Sequence, residues 1–494
     1  MSTFYPNRDE FIKRAKTGNM TPVYKEILAD TETPVSAFKK IAGDDYCFLL
    51  ESVEGGERLG RYSFLGSGTN LVIKSKNREV EITRYGDTRY VTLGPDQDVL
   101  HLLKDELAGL NYVADPDLPP FCGGAVGFLS YDLSRQFDDL PDSGDDDLHQ
   151  PDCTLIFTDT LLIFDHVRHR IRIVCNAKID GDPQEAYQQA IERVEELAAK
   201  LQKPIQMNFG RRKAAPLEID SNFTKPEFEQ AVLKCKEYIE AGDVVQVVPS
   251  QRFITEVTAE PFDVYRALRS LNPSPYMYFL SYQDVTLIGS SPEILVTEHN
   301  GKVTVRPIAG TRKRGKDSAE DLALEKELVA DKKEIAEHMM LVDLGEHDLG
   351  KVCVDGSVKV DELMVIERYS HVMHIVSNIT GQLRDDQDEF DVLRATFPAG
   401  TVTGAPKVRA MEIIDEVEPT RRGIYAGAIG YFSYSGNMDA CITIRTILMK
   451  GGTAYVQAGA GIVADSDPTK EYYETVNKAM GMIKALTDAE EGLE

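Results

Sequence analysis

The stretch TLIFTDTLLIFDHVRHRIRIVCN (154–176) most narrows the folds open to this chain. It contains several period-2 runs of β-branched and aromatic residues, the pattern that half-buried antiparallel strands require. Similar shorter runs precede it: DYCFLLES (45–52), RYSFLGSG (61–68) and NLVIKSKNREVEITRYG (70–86). Residues 1–200 therefore read as short strands and turns with a few helices. Further on, helical patterns (KPEFEQAVLKCKEYIEAG, 225–242; DLALEKELVADKKEIAEHMMLVDLG, 321–345) mix with strands (VTLIGSSPEILVTEHNGKVTVRPIAG, 285–310) without strict alternation. A doubly wound parallel sheet is disfavoured. A large α+β assembly of mainly antiparallel sheets is expected.

At 494 residues the chain suits two to four domains or one large composite unit. A helical run (183–202) is followed by KPIQMNFGRRKAAPLEIDSNF (203–223), where Pro, Gly and basic residues show no periodicity. That segment is expected to be a linker between regions 1–202 and 224–494. With 81 acidic against 55 basic residues, the net charge is −26, which removes the electrostatic basis for nonspecific nucleic-acid binding. No uncharged apolar run approaches the roughly 18 residues of a membrane helix, and MSTFYPNRDEFIKRAKTG has no apolar core to act as a secretory signal. Neither nucleic acid nor membrane is expected as a partner. Seven scattered cysteines without a CxxC spacing suit buried, reduced thiols in a cytoplasmic protein. Neither a GxSxG elbow nor a Cys in a GxCxG glycine turn is present, so covalent Ser or Cys hydrolysis is not expected. The aspartate-rich DDLPDSGDDDLHQPD (138–152) lacks regular ligand spacing and reads as a solvated loop.

Two acidic clusters carry potential chemistry. Glu334 and Glu337 are three apart in an apolar-flanked helix, and Glu471, Glu474 and Lys478 form one helical stripe. Converging carboxylates with few histidines suit Mg²⁺, which prefers oxygen ligands and shares them with an anionic substrate. Glu334 and His338 are four apart, but without a second helical His pair zinc and di-iron are disfavoured. Gly400, Thr401, Thr403 and Gly404 precede a helix, whose N-terminus can hold a carboxylate. Gly459 and Gly461 follow a strand and permit close ligand approach. Arg445 interrupts the apolar CITIRTILM and should face a carboxylate or phosphate, because a lone buried guanidinium is costly. One of His371 and His374 is a candidate titrating group, and Glu293, after a Ser-Ser-Pro turn, is the candidate general acid. These features describe a Mg²⁺-dependent enzyme acting on a small polyanion.

Taken in order, LLESVEGGERLGRYSFLG (49–66), GDVVQVVPSQRF (242–253), NPSPYMYFL (272–280), SSPEILV (290–296), RPIAGTRKRG (306–315), EIAEHMMLVDLG (334–345), ERYSHVMHIVS (367–377), FPAGTVTGAPK (397–407), IYAGAIGY (424–431) and AGAGIVADSDPTKEYYET (458–475) resemble the chorismate-utilising enzymes. The specific similarity is to the large, chorismate-binding subunits of anthranilate synthase (component I). The resemblance implies antiparallel sheets packed as a sandwich with helices outside. It also implies an N-terminal regulatory domain (1–202) and a catalytic domain (224–494). Related isochorismate and salicylate synthases carry a water-activating lysine where this chain has Gln246. Aminodeoxychorismate synthases carry a nucleophilic lysine where it has Ala309, and alanine forms no covalent adduct. Both positions point to anthranilate synthase; the alternatives are aminodeoxychorismate synthase component I or an inactive tryptophan-sensing homologue.

By the same resemblance, Glu337 and Glu474 bind Mg²⁺, with Glu334 and Glu471 nearby. Tyr425, Arg445, Gly459, Gly461 and Lys478 hold chorismate's carboxylates, while Gly310, Thr311 and Thr401 line the same pocket. Glu293 protonates the leaving 4-hydroxyl as ammonia attacks C2, and His374 assists elimination of pyruvate. Leu50, Glu51, Ser52, Pro275, Tyr276 and Met277 match a tryptophan feedback site, and the chain itself contains no tryptophan. Glu346 and His347 depart from the Arg-Asn common among relatives. With no amidotransferase segment, ammonia is expected from solution or from a separate glutamine amidotransferase subunit (component II), in a heterotetramer of two large and two small subunits.

Overall fold

Alternation along single strands decides which side of a sheet each residue faces. In the computed structural model, which describes residues 3–43, 45–53, 60–205, 210, 215–369 and 372–493, the strand Tyr46–Glu51 sends Phe48 and Leu50 to one core and Cys47 and Leu49 to another. The described strands build two large antiparallel sheets of twelve strands each. Phe48, Phe128, Ile156, Ile163, Tyr278 and Tyr431 fill the layer between them. Outside the first sheet, helices Pro183–Leu201, Pro261–Leu271 and Pro468–Glu491 cover the second core. Outside the other sheet, Val99–Ala108, Lys225–Ala241, Glu389–Thr396 and Lys407–Val417 cover a third. The result is the expected sandwich with helices on both outer faces.

The period-2 stretch that opened the sequence resolves into Cys153–Thr158, Thr160–Asp165 and Arg170–Lys178. The first of these belongs to one sheet and the other two to its neighbour, so the chain changes layer at Asp159. Segment 203–223 separates neither sheets nor cores. Tyr46–Glu51 pairs with Tyr276–Tyr282, with Glu51 opposite Met277. Gly124–Leu129 pairs with Ala428–Ser433. Strands from both sides of the expected linker thus complete each sheet.

The helix expected over 321–345 is two helices, Ser318–Leu328 and Lys332–Gly350. Asp331 caps the second, its carboxylate accepting from the Lys333 amide at 3.0 Å and the Glu334 amide at 3.3 Å. Glu346 and His347 lie exposed within that helix. The aspartate-rich stretch is a largely exposed loop, as expected, but it is anchored by ion pairs. Asp142 pairs with Arg421, Asp146 with Lys76 at 2.7 Å, and Asp147 with the buried Arg252. A basic cluster that is distant in sequence binds it down. All seven cysteines are buried. Among the described residues no helix is long and apolar enough to cross a membrane.

Candidate active site

Most of the residues singled out above meet near the ends of a few strands and two helices. Strand Val285–Ser291 ends beside Glu293, which is 4% exposed. Ser291 Oγ donates to the Ile442 carbonyl at 2.7 Å and shapes this turn. Thr401, in the short 3₁₀ turn Gly400–Val402, donates its hydroxyl to Glu293 Oε1 at 2.8 Å. Burial pushes the Glu293 carboxyl up to about 7, against the lowering pull of Thr401, the Ile308 amide and the charge of Lys478.

His374 stands opposite Thr311 in the pairing of Val372–Gln382 with Ile308–Lys313. Its Nδ1 lies 3.1 Å from the Gly310 carbonyl oxygen and 3.1 Å from Thr311 Oγ. A carbonyl can only accept, so Nδ1 carries the hydrogen and Nε2 keeps its lone pair. Burial lowers the His374 pKa; the Gly310 hydrogen bond opposes this and the Arg445 charge adds to it. Gly310 takes φ +63°, and a methyl group built on it would lie 3.2 Å from Glu334 Oε2, which ties this strand to the acidic helix. His338 is a core histidine, fully buried with Nε2 2.6 Å from Ser377 Oγ, and burial pushes its pKa down to about 4. His371 lies outside the described residues.

Arg445 sits just before strand Thr446–Lys450 with φ +51°. Burial lowers its pKa, and among the described residues no carboxylate pairs with it. The expected anionic partner is therefore not supplied by the described protein groups. Neighbouring Tyr425 presses its hydroxyl on Gly459, where a methyl group would lie 2.7 Å from Tyr425 Oη. Lys478 Nζ donates to the Gly459 carbonyl at 3.1 Å and pairs with Glu474 at 2.7 Å. A methyl group on Gly461 would lie 3.0 Å from Gln246 Nε2 and 3.8 Å from Glu337 Oε1. Gln246 thus faces the same space as the acidic pair.

Glu334 and Glu337 on one helix approach Glu471 and Glu474 on another. Burial raises the Glu337 pKa, and the charges of Glu334 and Glu474 raise it further, against Lys478 and Lys333. Burial likewise raises Glu471, with Glu474 adding to it. Among the described residues no three such groups close into a ready-made metal cage. An oxygen-only donor set whose charges repel one another still suits Mg²⁺, which keeps several waters and is usually held by one or two carboxylates plus an anionic ligand.

The residues expected to form a feedback site gather elsewhere. Leu50, Glu51, Ser52, Pro275, Tyr276 and Met277 all line one cleft of about 1320 Å³ between the sheets. Ser52 Oγ is buried with no hydrogen-bond partner among the described residues. The Glu51 carboxylate accepts from Arg269 at 2.9 and 3.2 Å and from the Tyr265 hydroxyl, so protein groups occupy it. Asp439 escaped the sequence reading. It lines this cleft, accepts from Tyr276 Oη at 2.9 Å, and burial pushes it up to about 7. Its signal was present in MDACI (438–442), where Met438, Ala440 and Ile442 face a helix-covered core and Asp439 takes the opposite face.

Residues 45–484 match the family model described as chorismate binding enzyme. The chain is 50% identical to anthranilate synthase component 1 of Acetivibrio thermocellus over 99% of each chain. It is 46% identical to the Aquifex aeolicus protein of the same name over 98% of each. The solved structure of anthranilate synthase component I from Streptococcus pneumoniae superposes with a TM-score of 0.78 at 38% identity, covering 92% of this chain and 99% of that one. With the family model spanning nearly the whole sequence and relatives matched end to end, the chain belongs to the chorismate-binding enzymes, in the anthranilate synthase component I branch.

Proposed function

We propose that the protein converts chorismate and ammonia to anthranilate and pyruvate, the first step of tryptophan biosynthesis. In this reading the reaction depends on Mg²⁺ and is inhibited by tryptophan. A separate glutamine amidotransferase subunit supplies the ammonia in the cytoplasm, within a heterotetramer of two large and two small chains. The observation that carries the chemistry is a buried carboxyl on Glu293, pushed up to about 7 and held by Thr401, in a site that also holds the buried guanidinium of Arg445.

Chorismate's carboxylates suit Arg445, Lys478 and the open amides around Gly459 and Gly461, with Tyr425 closing one wall. Near neutrality Glu293 holds a proton it can give to the leaving 4-hydroxyl, which departs as water while ammonia bonds to C2. His374, neutral and with Nε2 free to accept, suits the second half, in which the amino intermediate loses pyruvate and becomes aromatic. Glu337 and Glu474, with Glu334 and Glu471 beside them, would hold Mg²⁺, which supplies charge neutralisation for a substrate carboxylate. Ala309 offers no nucleophile, which favours direct addition of ammonia over a covalent route. Gln246, unlike lysine, cannot deprotonate water for attack at C2.

An assay with chorismate, MgCl₂ and ammonium chloride tests this reading. Fluorescent anthranilate and pyruvate should form in equal amounts. Isochorismate or 4-amino-4-deoxychorismate as the only product would overturn it.

A further inference from the structure

Behind the proposed substrate pocket lies an ion pair that no step above uses. The Arg422 side chain is 2% exposed and sits between two rings, 4.7 Å from the Tyr131 centroid and 5.4 Å from that of Tyr425. Its Nε donates to Glu418 Oε2 at 3.0 Å and its Nη2 to Glu418 Oε1 at 2.7 Å. Two further bonds go to main-chain carbonyls, from Nη1 to Val402 at 2.7 Å and from Nη2 to Val248 at 2.5 Å. Glu418 is equally committed, accepting from the Ser250 amide at 2.7 Å and Ser250 Oγ at 2.9 Å.

Each of these partners is one step from a group in the site. Val402 closes the turn that carries Thr401, whose hydroxyl holds Glu293. Tyr425 stacks on the guanidinium and abuts Gly459. Ser250 is the direct strand partner of Gly459. A buried ion pair is a poor source of stability, because desolvation offsets its attraction and apolar residues of similar volume often serve as well. What a planar fork does supply is several hydrogen bonds in fixed relative directions, which a lysine ammonium cannot reproduce.

We infer that Arg422 is a positioning residue for the reaction: with Glu418 it locks the Thr401 turn, the Tyr425 ring and the Gly459 strand into one arrangement. That arrangement sets both the aim of the Glu293 carboxyl and the width of the chorismate pocket. The inference rests on the chorismate reading above and assigns Arg422 no contact with substrate.

Arg422→Lys keeps a charge for Glu418 but loses the fork, so it separates positioning from charge compensation. Its kcat/KM for chorismate should fall at least about tenfold, while the protein still melts cooperatively. A double-mutant cycle with Thr401→Val adds a readout that general loosening does not produce. If Arg422 acts through the Thr401 turn, the double variant loses clearly less than the product of the two single losses. Tyr131→Leu removes the ring under the guanidinium and stands in if Arg422→Lys does not fold; it should lower kcat/KM about threefold or more, again less than multiplicatively with Thr401→Val. A folded Arg422→Lys with kcat/KM within twofold of wild type, or strictly multiplicative losses in the cycle, would overturn the inference. So would an unaltered kcat/KM in Tyr131→Leu. Wild-type protein that makes no anthranilate would instead sink the underlying reading.

Discussion

Thr401 and Glu293 lie 108 positions apart in sequence, yet the hydroxyl of one donates to the carboxyl of the other at 2.8 Å. The bond stabilises the carboxylate, so it opposes the burial that lifts Glu293 from an ordinary 4.5 to about 7. A general acid works only while protonated, so kcat/KM is expected to decline as pH rises through about 7. Thr401→Val removes one of the interactions favouring ionisation, and the alkaline limb should move to higher pH even as turnover drops. A pH–rate profile checks this, and an unmoved limb in Thr401→Val would separate Glu293 from the limiting ionisation.

The same carboxyl makes a stability prediction. Between pH 4.5 and about 7 the native protein keeps a proton that the unfolded chain has released. Its contribution to stability is therefore fully present below that window and lost as pH rises through it. Glu293→Gln is neutral at every pH. It should melt higher than wild type at pH 8, show no such gain at pH 4, and lose about 10²–10⁴-fold in activity. Thermal melts at the two pH values decide the point.

His374 gives a separable outcome because its Nδ1 hydrogen is already committed to Gly310 and Thr311. His374→Met should slow pyruvate elimination by about 10²–10⁴-fold and leave amination less affected. Aminodeoxyisochorismate should then accumulate and be visible by chromatography. Equal loss of both half-reactions would assign the histidine to substrate binding instead.

The glutamate pairs yield a metal prediction with two readouts. Glu337→Gln or Glu474→Gln should abolish Mg²⁺-dependent turnover and also the rise in melting temperature that Mg²⁺ produces in the wild type. Without Mg²⁺ the Glu337 variant should fold at least as well as wild type, because burial and the charges of Glu334 and Glu474 already disfavour ionised Glu337. Full activity at low Mg²⁺ in either variant would remove these residues from the metal site.

Strand patterning made much of the fold legible, and it did so through particular residues. Leu49 and Leu50 announce a strand with two apolar faces, and the structure gives each face its own core. The same pattern is blind to which sheet a strand joins, so nothing in TLIFTDTLLIF marks the change of layer at Asp159. Nor did it reveal that the apparent linker divides no sheet, since pairing such as Glu51 with Met277 is a long-range choice. The break before Lys332 was hidden because Ala330 and Asp331 fit a helical register; only the cap geometry makes Asp331 a start. Glu337, Glu474 and Lys478 were visible as helical stripes, and their mutual approach is a property of two helices packed on strands of different sheets. Arg422 was unreadable in advance, because an Arg-Arg-Gly turn resembles solvated surface until Glu418, Val402 and Val248 surround it.

The cleft between the sheets supports a last prediction, on regulation. Glu51 and Met277 are direct partners across adjacent strands, one from each side of 203–223. A tryptophan bound there would contact both chain regions at once. Ser52 has a hydroxyl with no partner among the described residues, suited to the ligand's polar end. Asp439, pushed up to about 7 by burial, would gain an ionised partner in an ammonium group. Ser52→Phe should fill the space and relieve tryptophan inhibition while uninhibited turnover stays close to wild type. Asp439→Asn should weaken tryptophan binding, since it removes the counter-charge but keeps the acceptor for Tyr276. Coupling between two such sites is typically ~1–3 kcal/mol, about 5–150-fold in affinity, and is reciprocal for binding. Chorismate should therefore weaken tryptophan binding in calorimetric titrations by the factor with which tryptophan weakens chorismate binding. Tryptophan that binds and inhibits while Ser52→Phe remains fully sensitive would place the effector outside this cleft.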